Sequence, residues 1–209
     1  THLPLNITVG PVQDYKGKLG LASQSGTYVA QVVSYLHRNG IALSKAISVG
    51  NEADINLIDC IEYLGADEHT RAIGLYIEGI RDASRFLEVA SRVTRSKPVV
   101  LLKGGASAEG AAAAVAHTAA LASDDRVVDG ALRQAGIVRV TRYSQLLLAA
   151  KGFAAVGLPR GDRVAFLAPS GAMLVCLADL CRHGLGLRVT DLEEATRARL
   201  QAMSPPYIR

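Results

Sequence analysis

The chain has 209 residues, of which 49% are hydrophobic and 20% are charged. This balance is typical of a soluble globular protein with one full domain and part of another, and it excludes a disordered chain or a coiled coil. The 23 Lys and Arg against 19 Asp and Glu give a net charge of +4, but the charges alternate in sign along the chain. With no Trp and only three Phe to stack on bases, we expect no nucleic-acid partner.

Segments that direct a protein to a membrane or out of the cell do not stand out in the sequence. Charged residues such as Lys151 interrupt every apolar run before it reaches the ~18 residues that span a bilayer. The first residues lack the basic start, apolar centre and small-residue cleavage site of a signal peptide. Cys60, Cys176 and Cys181 form neither an even set nor a CxxC pair. We therefore expect a cytoplasmic protein with reduced, buried thiols and no membrane partner.

Strand-like and helix-like segments alternate from Lys18 onwards. The strand-like segments are LGLAS, KAISVG, AIGLYIE, PVVLLK and GIVRV, and helical patterns separate them. Because these strands are continuous apolar runs, the pattern predicts a parallel sheet covered by helices on both faces. Five such strands fit an α/β, flavodoxin-like, doubly wound domain over residues 17–157. Residues 1–16 are interpreted as an N-terminal extension or linker.

A unit made of a strand, Ser-Gly and a helix occurs twice. The segment GKLGLASQSGTYVAQVVSYLHRNGIAL from Gly17 matches GDRVAFLAPSGAMLVCLADLCRHGLGL from Gly161 in order and residue type. Each helix is expected to end at a left-handed glycine, Gly40 or Gly184. The second copy has only about fifty residues, too few to bury both faces of a parallel sheet. We therefore predict a partial second flavodoxin-like domain over residues 158–209, in a piece of a longer polypeptide.

Both copies place a Ser-Gly pair at the start of a helix. Backbone N–H groups and the positive end of the helix dipole make Ser25-Gly26 and Ser170-Gly171 candidates for binding an anion. The alternative is that Ser25 and Ser170 are only N-caps, each followed by the glycine of a tight turn. Because both copies present the same feature, the N-cap alternative has less weight here than for a single Ser-Gly pair.

Further candidate residues follow the third and fourth strands. Gly104 and Gly105 come directly after PVVLLK and open a segment of small residues that carries His117. Small neighbours leave an imidazole accessible as a nucleophile, although a packed or solvated histidine is the alternative. Glu78 ends the strand AIGLYIE at the same predicted sheet edge. Its carboxylate could orient the imidazole, or it could be a solvated charge at a strand end.

Polar residues after the second strand complete the candidates at this edge. Asn51 closes that strand and is open to either a site role or a structural one. Asp54 is expected to cap the next helix, and Asp124 and Asp125 are expected to interact with the dipole of the helix that follows them.

Taken together, these motifs resemble those of the ADP-forming acyl-CoA synthetases, relatives of succinyl-CoA synthetase. The matching segments are SQSGT (23–27), SVGNEADI (48–55), YIEGIRDASRF (76–86), LLKGGASAEG (101–110), AHTAALA (116–122) and DGALRQAGIVRV (129–140). The resemblance implies that His117 is phosphorylated during turnover and that Glu78 steadies the phosphohistidine. It also implies that Ser25, Gly26 and Thr27 in one helix start, and Ser170 and Gly171 in the other, hold the phosphate.

The resemblance carries further expectations about the complete enzyme. It would interconvert acyl-CoA, phosphate and ADP with a carboxylic acid, CoA and ATP, using magnesium. CoA-binding and ATP-grasp domains would be joined in cis or as a partner subunit, no cofactor is expected in this chain itself, and a homo-oligomer is compatible with the family. The chain departs from the family pattern at four positions, Ala116, Ala119, Ser123 and Ala172. These departures concern the efficiency of phosphoryl transfer and the substrate rather than the fold.

Two other functions remain alternatives to the one that this resemblance implies. A non-catalytic synthetase-like module of a protein acetyltransferase or another regulatory protein is the main alternative, but such modules typically lose the histidine that this chain has at His117. A flavin-binding flavodoxin is less favoured, because the strand-end loops lack a Ser/Thr-rich phosphate loop and aromatic residues to enclose the flavin ring.

Overall fold

A computed structural model describes residues 17–107, 109–110, 112 and 124–205 of the chain. Five strands form one sheet in which every neighbouring pair is parallel. They are β1 (Leu19–Ser23), β2 (Leu43–Ser48), β3 (Ala72–Ile77), β4 (Val99–Lys103) and β5 (Val138–Val140). Their order, β2-β1-β3-β4-β5, is that of a flavodoxin-like doubly wound sheet, so the predicted fold is confirmed.

Helices cover both faces of this sheet. They are α1 (Gly26–Arg38), α2 (Leu57–Ala66), α3 (Ala83–Thr94), α4 (Asp125–Gln134) and α5 (Tyr143–Val156). One buried cluster joins α2, α3 and α4 to the sheet, and it includes Ile61, Phe86 and Leu132. A second cluster joins α1 and α5 to the sheet and includes Val32 and Leu146. Each fully buried side chain of this size stabilises the fold by roughly 1.5–3 kcal/mol.

The start of α2 corrects one expectation about capping. Asp54 does not cap this helix; Asn56 does, and its side chain accepts hydrogen bonds from the backbone N–H groups of Ile58 and Asp59. The Asp59 carboxylate accepts in return from the Asn56 N–H, 3.0 Å away, which completes a capping box. Asn56 caps the helix in place of Asp54 because Asn56 lies three residues before Asp59, whose carboxylate can accept the second hydrogen bond of the capping box.

The chain divides into two compact units, Thr1–Leu158 and Pro159–Arg209. The second unit contains β6 (Arg163–Val164) and β7 (Arg188–Val189), which pair in parallel, and the helices α6 (Gly171–Leu180) and α7 (Glu194–Met203). Arg188 forms a bidentate ion pair with Asp162, with N–O distances of 2.8 and 2.9 Å. The assignment of this segment to a partial second flavodoxin-like domain, and the domain limits at residues 17, 157 and 158, remain predictions.

Two details of the second unit differ from expectation. Cys176 is exposed, not buried, because α6 buries none of its side chains within this unit. The glycine with a left-handed backbone is Gly186, with φ of 62°, and not Gly184, because the backbone after α6 continues as a π-helix over Cys181–Leu185. Cys60 and Cys181 are buried as expected. Across the described part of the chain, no helix is both long enough and apolar enough to cross a bilayer.

Candidate functional site

The carboxyl ends of the parallel strands bring most of the predicted residues of the first unit to one edge of the sheet. In the strand register, Ser23 of β1 pairs with Ser48 of β2 and with Tyr76 of β3, and Ile77 pairs with Lys103 of β4. The helix start at Ser25, the loops that contain Asn51 and Glu78, and the glycines after β4 all follow these strand ends. This edge is where doubly wound α/β proteins bind ligands.

Ser25 caps α1, the helix whose first turn is the candidate anion site. Its Oγ accepts a hydrogen bond from the backbone N–H of Tyr28, at 3.3 Å. The buried Ser23 hydroxyl fixes the turn before the helix, because it accepts from the Ser25 N–H and donates to the Ser25 carbonyl, each at 2.9 Å. Gly26 and Thr27 are exposed in the first turn, where N–H groups have no acceptor within the helix. Ser25 is thus an N-cap, and the cap leaves this first turn accessible to an anion.

Gln24 connects this helix start to the loop that carries Glu78. Its side-chain oxygen accepts from the backbone N–H groups of Glu78 and Gly79, at 2.5 and 3.2 Å. Its side-chain nitrogen donates to the Gly79 carbonyl at 2.8 Å. Nothing in the sequence pattern singled out Gln24, because its partners lie more than fifty residues away along the chain. One side chain thereby fixes the backbone of the predicted carboxylate relative to the predicted anion site.

Glu78 lies half-buried directly after β3, and an aromatic neighbour contacts its carboxylate. The Tyr76 hydroxyl donates to Oε1 of Glu78 at 3.2 Å. The Tyr76 ring stacks on Tyr28 of α1, with ring centroids 4.5 Å apart. Burial and the Glu78 carboxylate raise the pKa of Tyr76 to about 12, so its hydroxyl keeps its proton near neutral pH. Glu78 is therefore half-buried and hydrogen-bonded at this edge of the sheet, and it is not a solvated charge at a strand end.

The glycines after β4 lie beside Tyr76 and Glu78. The Gly104 N–H donates to the Ile77 carbonyl at 2.7 Å, and Gly105 has a left-handed backbone with φ of 71°. A Cβ atom on Gly104 would be 2.7 Å from the Tyr76 hydroxyl and 3.5 Å from Cγ of Glu78. The first distance is shorter than real contacts allow, so a side chain at position 104 would displace Tyr76.

A compact charged cluster lies next to these glycines. The Lys103 ammonium, whose side chain is 8% exposed, donates to the carbonyls of Gly104 and Gly105 and lies 3.6 Å from Asp125. Asp125 begins α4 and accepts two 2.7 Å bonds from the guanidinium of Arg139. Asp125 thus has the predicted place at a helix start, and it also neutralises two nearly buried cations. Neither Lys103 nor Arg139 was predicted from the sequence.

Asn51 lies in the loop after β2. Its backbone carbonyl accepts from the Arg81 guanidinium at 2.9 Å, and its side chain is exposed. The next residue, Glu52, has a left-handed backbone with φ of 53°, and its carboxylate accepts from the Leu57 N–H at 2.8 Å. The described contacts give Asn51 a structural role in linking two loops, and a ligand role for its side chain remains a prediction.

His117 lies outside the described residues, as do Ala116, Ala119 and Ser123. The predicted contact between His117 and Glu78 therefore remains a prediction. In the second unit, Ser170 caps α6 and accepts from the Met173 N–H at 3.4 Å, the same offset as Ser25 to Tyr28. Gly171 begins α6 and is exposed, so the second unit by itself also presents an open helix start.

The five-stranded parallel sheet, with its strand order and its helices on both faces, defines an α/β domain of the flavodoxin-like class. Residues 16–153 match the model of the succinyl-CoA ligase like flavodoxin domain. The chain therefore belongs to this family, and it resembles a segment of acyl-CoA synthetases, as predicted.

Named relatives agree with this assignment. The chain is 40% identical over 206 residues to the acetate-CoA ligase [ADP-forming] II subunit alpha of Pyrococcus furiosus. The aligned residues cover 99% of this chain and 44% of that subunit. It is 36% identical to the corresponding I subunit alpha of the same organism, with 98% and 44% covered. The chain thus spans less than half the length of these relatives.

A solved structure shows the same fold. It is a dinucleotide forming acetyl-coenzyme A synthetase 1 of Ca. Korarchaeum cryptofilum in complex with phosphate and ADP. The two structures superpose with a TM-score of 0.87 at 29% sequence identity, over 97% of this chain and 44% of that one.

Proposed function

We propose that this chain carries the phosphohistidine of an ADP-forming acyl-CoA synthetase, an acid-CoA ligase, and relays phosphate between an acyl phosphate and ADP. The observation that supports the proposal is the arrangement at the carboxyl edge of the sheet. There the side chain of Gln24 links the open helix start at Ser25-Gly26 to the backbone of Glu78 and Gly79, and so positions the loop that carries the Glu78 carboxylate. The names of the relatives, ADP-forming acetate-CoA ligases, support the reaction class.

The proposed relay uses the neutral imidazole of His117 as a nucleophile. One ring nitrogen attacks the phosphorus of the acyl phosphate, a P–N bond forms, and the P–O bond to the acyl group breaks to release the carboxylate. In the second step an oxygen of the ADP β-phosphate attacks the same phosphorus, the P–N bond breaks, and ATP and the imidazole result. Glu78 would accept the N–H of the other ring nitrogen and so stabilise the positive charge that develops on the ring.

The helix starts would hold the phosphoryl group during this relay. The N–H groups at Gly26 and Thr27 offer donors and a positive dipole end to its oxygens. Ser170 and Gly171 are proposed to act in the same way from the second unit. As the family resemblance implies, CoA, the nucleotide and magnesium are expected to be bound by CoA-binding and ATP-grasp domains in cis or in a partner subunit. The carboxylic acid would bind outside this chain as well.

Labelling of the complete synthetase with [γ-³²P]ATP tests the proposal. Wild-type protein is expected to acquire acid-labile, base-stable label, as a phosphohistidine does. His117→Asn is expected to acquire none, and Glu78→Gln is expected to be labelled about tenfold or more slowly, because a hydrogen bond to a charged group contributes ~1.5–3 kcal/mol. His69→Asn, at an exposed histidine in the loop before β3, is the matched control and should be labelled like wild type.

Label that persists in His117→Asn at the wild-type level would overturn the proposal. Absence of label in the wild-type enzyme, with a folded protein and ATP in excess, would instead favour the non-catalytic module. Circular dichroism of each variant separates a loss of chemistry from a loss of fold.

A further inference from the structure

The hydroxyl of Tyr76 contacts the carboxylate of Glu78. Tyr76 donates to Oε1 of Glu78 at 3.2 Å. Gln24 fixes the backbone of Glu78, whereas the Tyr76 hydroxyl acts on its side chain. The terminal torsion of a glutamate is broad and poorly defined by itself. A hydrogen bond to one carboxylate oxygen therefore restricts where the other oxygen points.

The surroundings of Tyr76 are arranged to hold this hydroxyl in place. Its ring stacks on Tyr28 with an interplanar angle of 18°, and Tyr143 packs edge-on against Tyr28 at 5.2 Å between ring centroids. The last residues of β3 pair with β4, whose continuation brings Gly104 against the same hydroxyl. The ring is thus held by α1 on one side and by the strand-end glycine on the other.

Gly104 has no conformational need to be a glycine. The backbone of Gly104 does not have a positive φ, so it can accept an L-residue. The obstacle is steric, because an added Cβ would lie 2.7 Å from the Tyr76 hydroxyl oxygen and 3.4 Å from Cζ of the same ring. Removing the hydroxyl alone would leave only an ordinary van der Waals contact.

We propose that Tyr76 is a positioning residue that holds the Glu78 carboxylate in one orientation. We also propose that position 104 is a glycine because a side chain there would prevent the Tyr76 hydroxyl from reaching this carboxylate. The inference rests on the proposed function, in which Glu78 orients His117. It adds to that function the residue that orients the carboxylate and a physical reason for the glycine after β4.

Four variants of the complete synthetase test the inference: Tyr76→Phe, Gly104→Ala, the double variant, and Tyr28→Phe as a matched control. Tyr76→Phe removes one hydroxyl without changing the ring, so labelling by [γ-³²P]ATP is expected to slow about tenfold or more, with the KM for ATP unchanged within about twofold. Gly104→Ala is expected to slow labelling similarly, because it displaces the same hydroxyl. The double variant is expected to be no slower than Tyr76→Phe, because the clash no longer exists.

Tyr28→Phe removes a hydroxyl from the same aromatic stack without touching Glu78. The Tyr28 hydroxyl is buried and has no hydrogen-bond partner among the described residues, so this variant is expected to be labelled at the wild-type rate within about twofold. The ³¹P resonance of the phosphohistidine is expected to shift in Tyr76→Phe and to stay in place in Tyr28→Phe. Unchanged thermal unfolding in Tyr76→Phe would show that the loss is local.

Each contrary result has a distinct meaning. If Tyr76→Phe is labelled at the wild-type rate while His117→Asn is not labelled, the inference fails and the proposed function stands. If His117→Asn keeps its label, the proposed function fails first. If Tyr28→Phe slows labelling as much as Tyr76→Phe, packing of the stack is responsible and the inference fails. If the single effects of Tyr76→Phe and Gly104→Ala multiply in the double variant, the explanation of Gly104 is wrong.

Discussion

Asp67, at the end of α2, is the carboxylate through which acid should act most directly on this fold. Its Oδ2 atom lies 2.7 Å from the Lys45 ammonium and accepts a 2.6 Å bond from the Thr70 hydroxyl. Burial raises the pKa of Asp67, but the hydrogen bonds from Lys45 and Thr70 outweigh it and lower the pKa to about 2. The folded state therefore binds this proton less readily than the unfolded chain does.

A depressed pKa stabilises the fold above the unfolded value of about 3.9, and this stability is lost as the pH falls through about 4 towards 2. Asp67→Asn is expected to lower the free energy of unfolding at pH 7 by about 1 kcal/mol and to flatten its decline between pH 5 and 2.5. Urea unfolding at several pH values measures both effects. Asp54→Asn, at an exposed carboxylate, is the control. An unchanged acid slope in Asp67→Asn would contradict the prediction.

Single residues also mark how far the sequence alone could lead. Asn56 could have been predicted, because Asn is a favoured N-cap residue and an acidic residue three positions later resembles the capping-box pattern. Glu78 was identified because a residue after a parallel strand must lie at the carboxyl edge. Gln24 and Tyr76 were not identified, because both act through side-chain contacts that exist only after β1, β3 and β4 have paired.

At the scale of elements, α2 and α3 approach each other through a glycine. A Cβ on Gly65 of α2 would lie 2.6 Å from Cγ2 of Val93, a buried residue of α3. Gly65→Ala gains roughly 0.5–1 kcal/mol of helix propensity but overpacks a dense core, which typically costs about 1–3 kcal/mol. We expect the variant to be less stable by about 1 kcal/mol or more in urea unfolding.

Gly152 of α5 is the matched control for this prediction. A Cβ on Gly152 would meet nothing within 4 Å, so Gly152→Ala is expected to raise the free energy of unfolding by up to about 1 kcal/mol. Opposite signs for the two alanine variants are the expected result. Equal stabilisation by both would show that α2 and α3 are not packed as closely as Gly65 requires.

The elements of the first unit were predictable because their signals are local. Continuous apolar runs mark the buried parallel strands, and the periodic stretches between them mark the helices. The end of α6 was not predictable in the same way. Two glycines, Gly184 and Gly186, follow it closely, and only the widening of the backbone into a π-helix decides that Gly186 takes the left-handed conformation. A pattern of residue types carries no signal for that widening.

At the scale of the whole molecule, the strand order accounts for the position of the site. β1 and β3 are neighbours, and the helices that follow them, α1 and α3, cover opposite faces of the sheet, so the loops after these two strands leave a crevice between them at its carboxyl edge. The convergence of Ser25, Glu78 and Gly104 on this edge follows from parallel topology alone, and it was predicted. Which side chains bind one another there depends on packing distances of a few tenths of an ångström, and these are not encoded in any periodicity.

The distribution of buried residues between the two units leads to the last prediction. Among the described residues, all buried apolar side chains but Cys181 belong to the first unit, between Leu19 and Ala150. At Gly157, whose φ is 76°, α5 ends with a hydrogen bond from its N–H to the Phe153 carbonyl, so a cut after Leu158 breaks no helix. Residues 159–205 expose Leu167, Met173 and other large apolar side chains within their own unit. The core that stabilises the first unit is therefore contained in it.

A fragment that ends at Leu158 is expected to unfold in urea in one cooperative transition, because both buried clusters lie within it. A fragment of residues 159–209 is expected to show no cooperative transition, because about fifty residues with one buried side chain among the described ones cannot offset the conformational entropy of folding. Circular dichroism at increasing urea concentration measures both. Cooperative unfolding of the 159–209 fragment by itself would contradict its assignment to a partial domain, since the fragment would then possess a core that the buried residues of this chain do not provide.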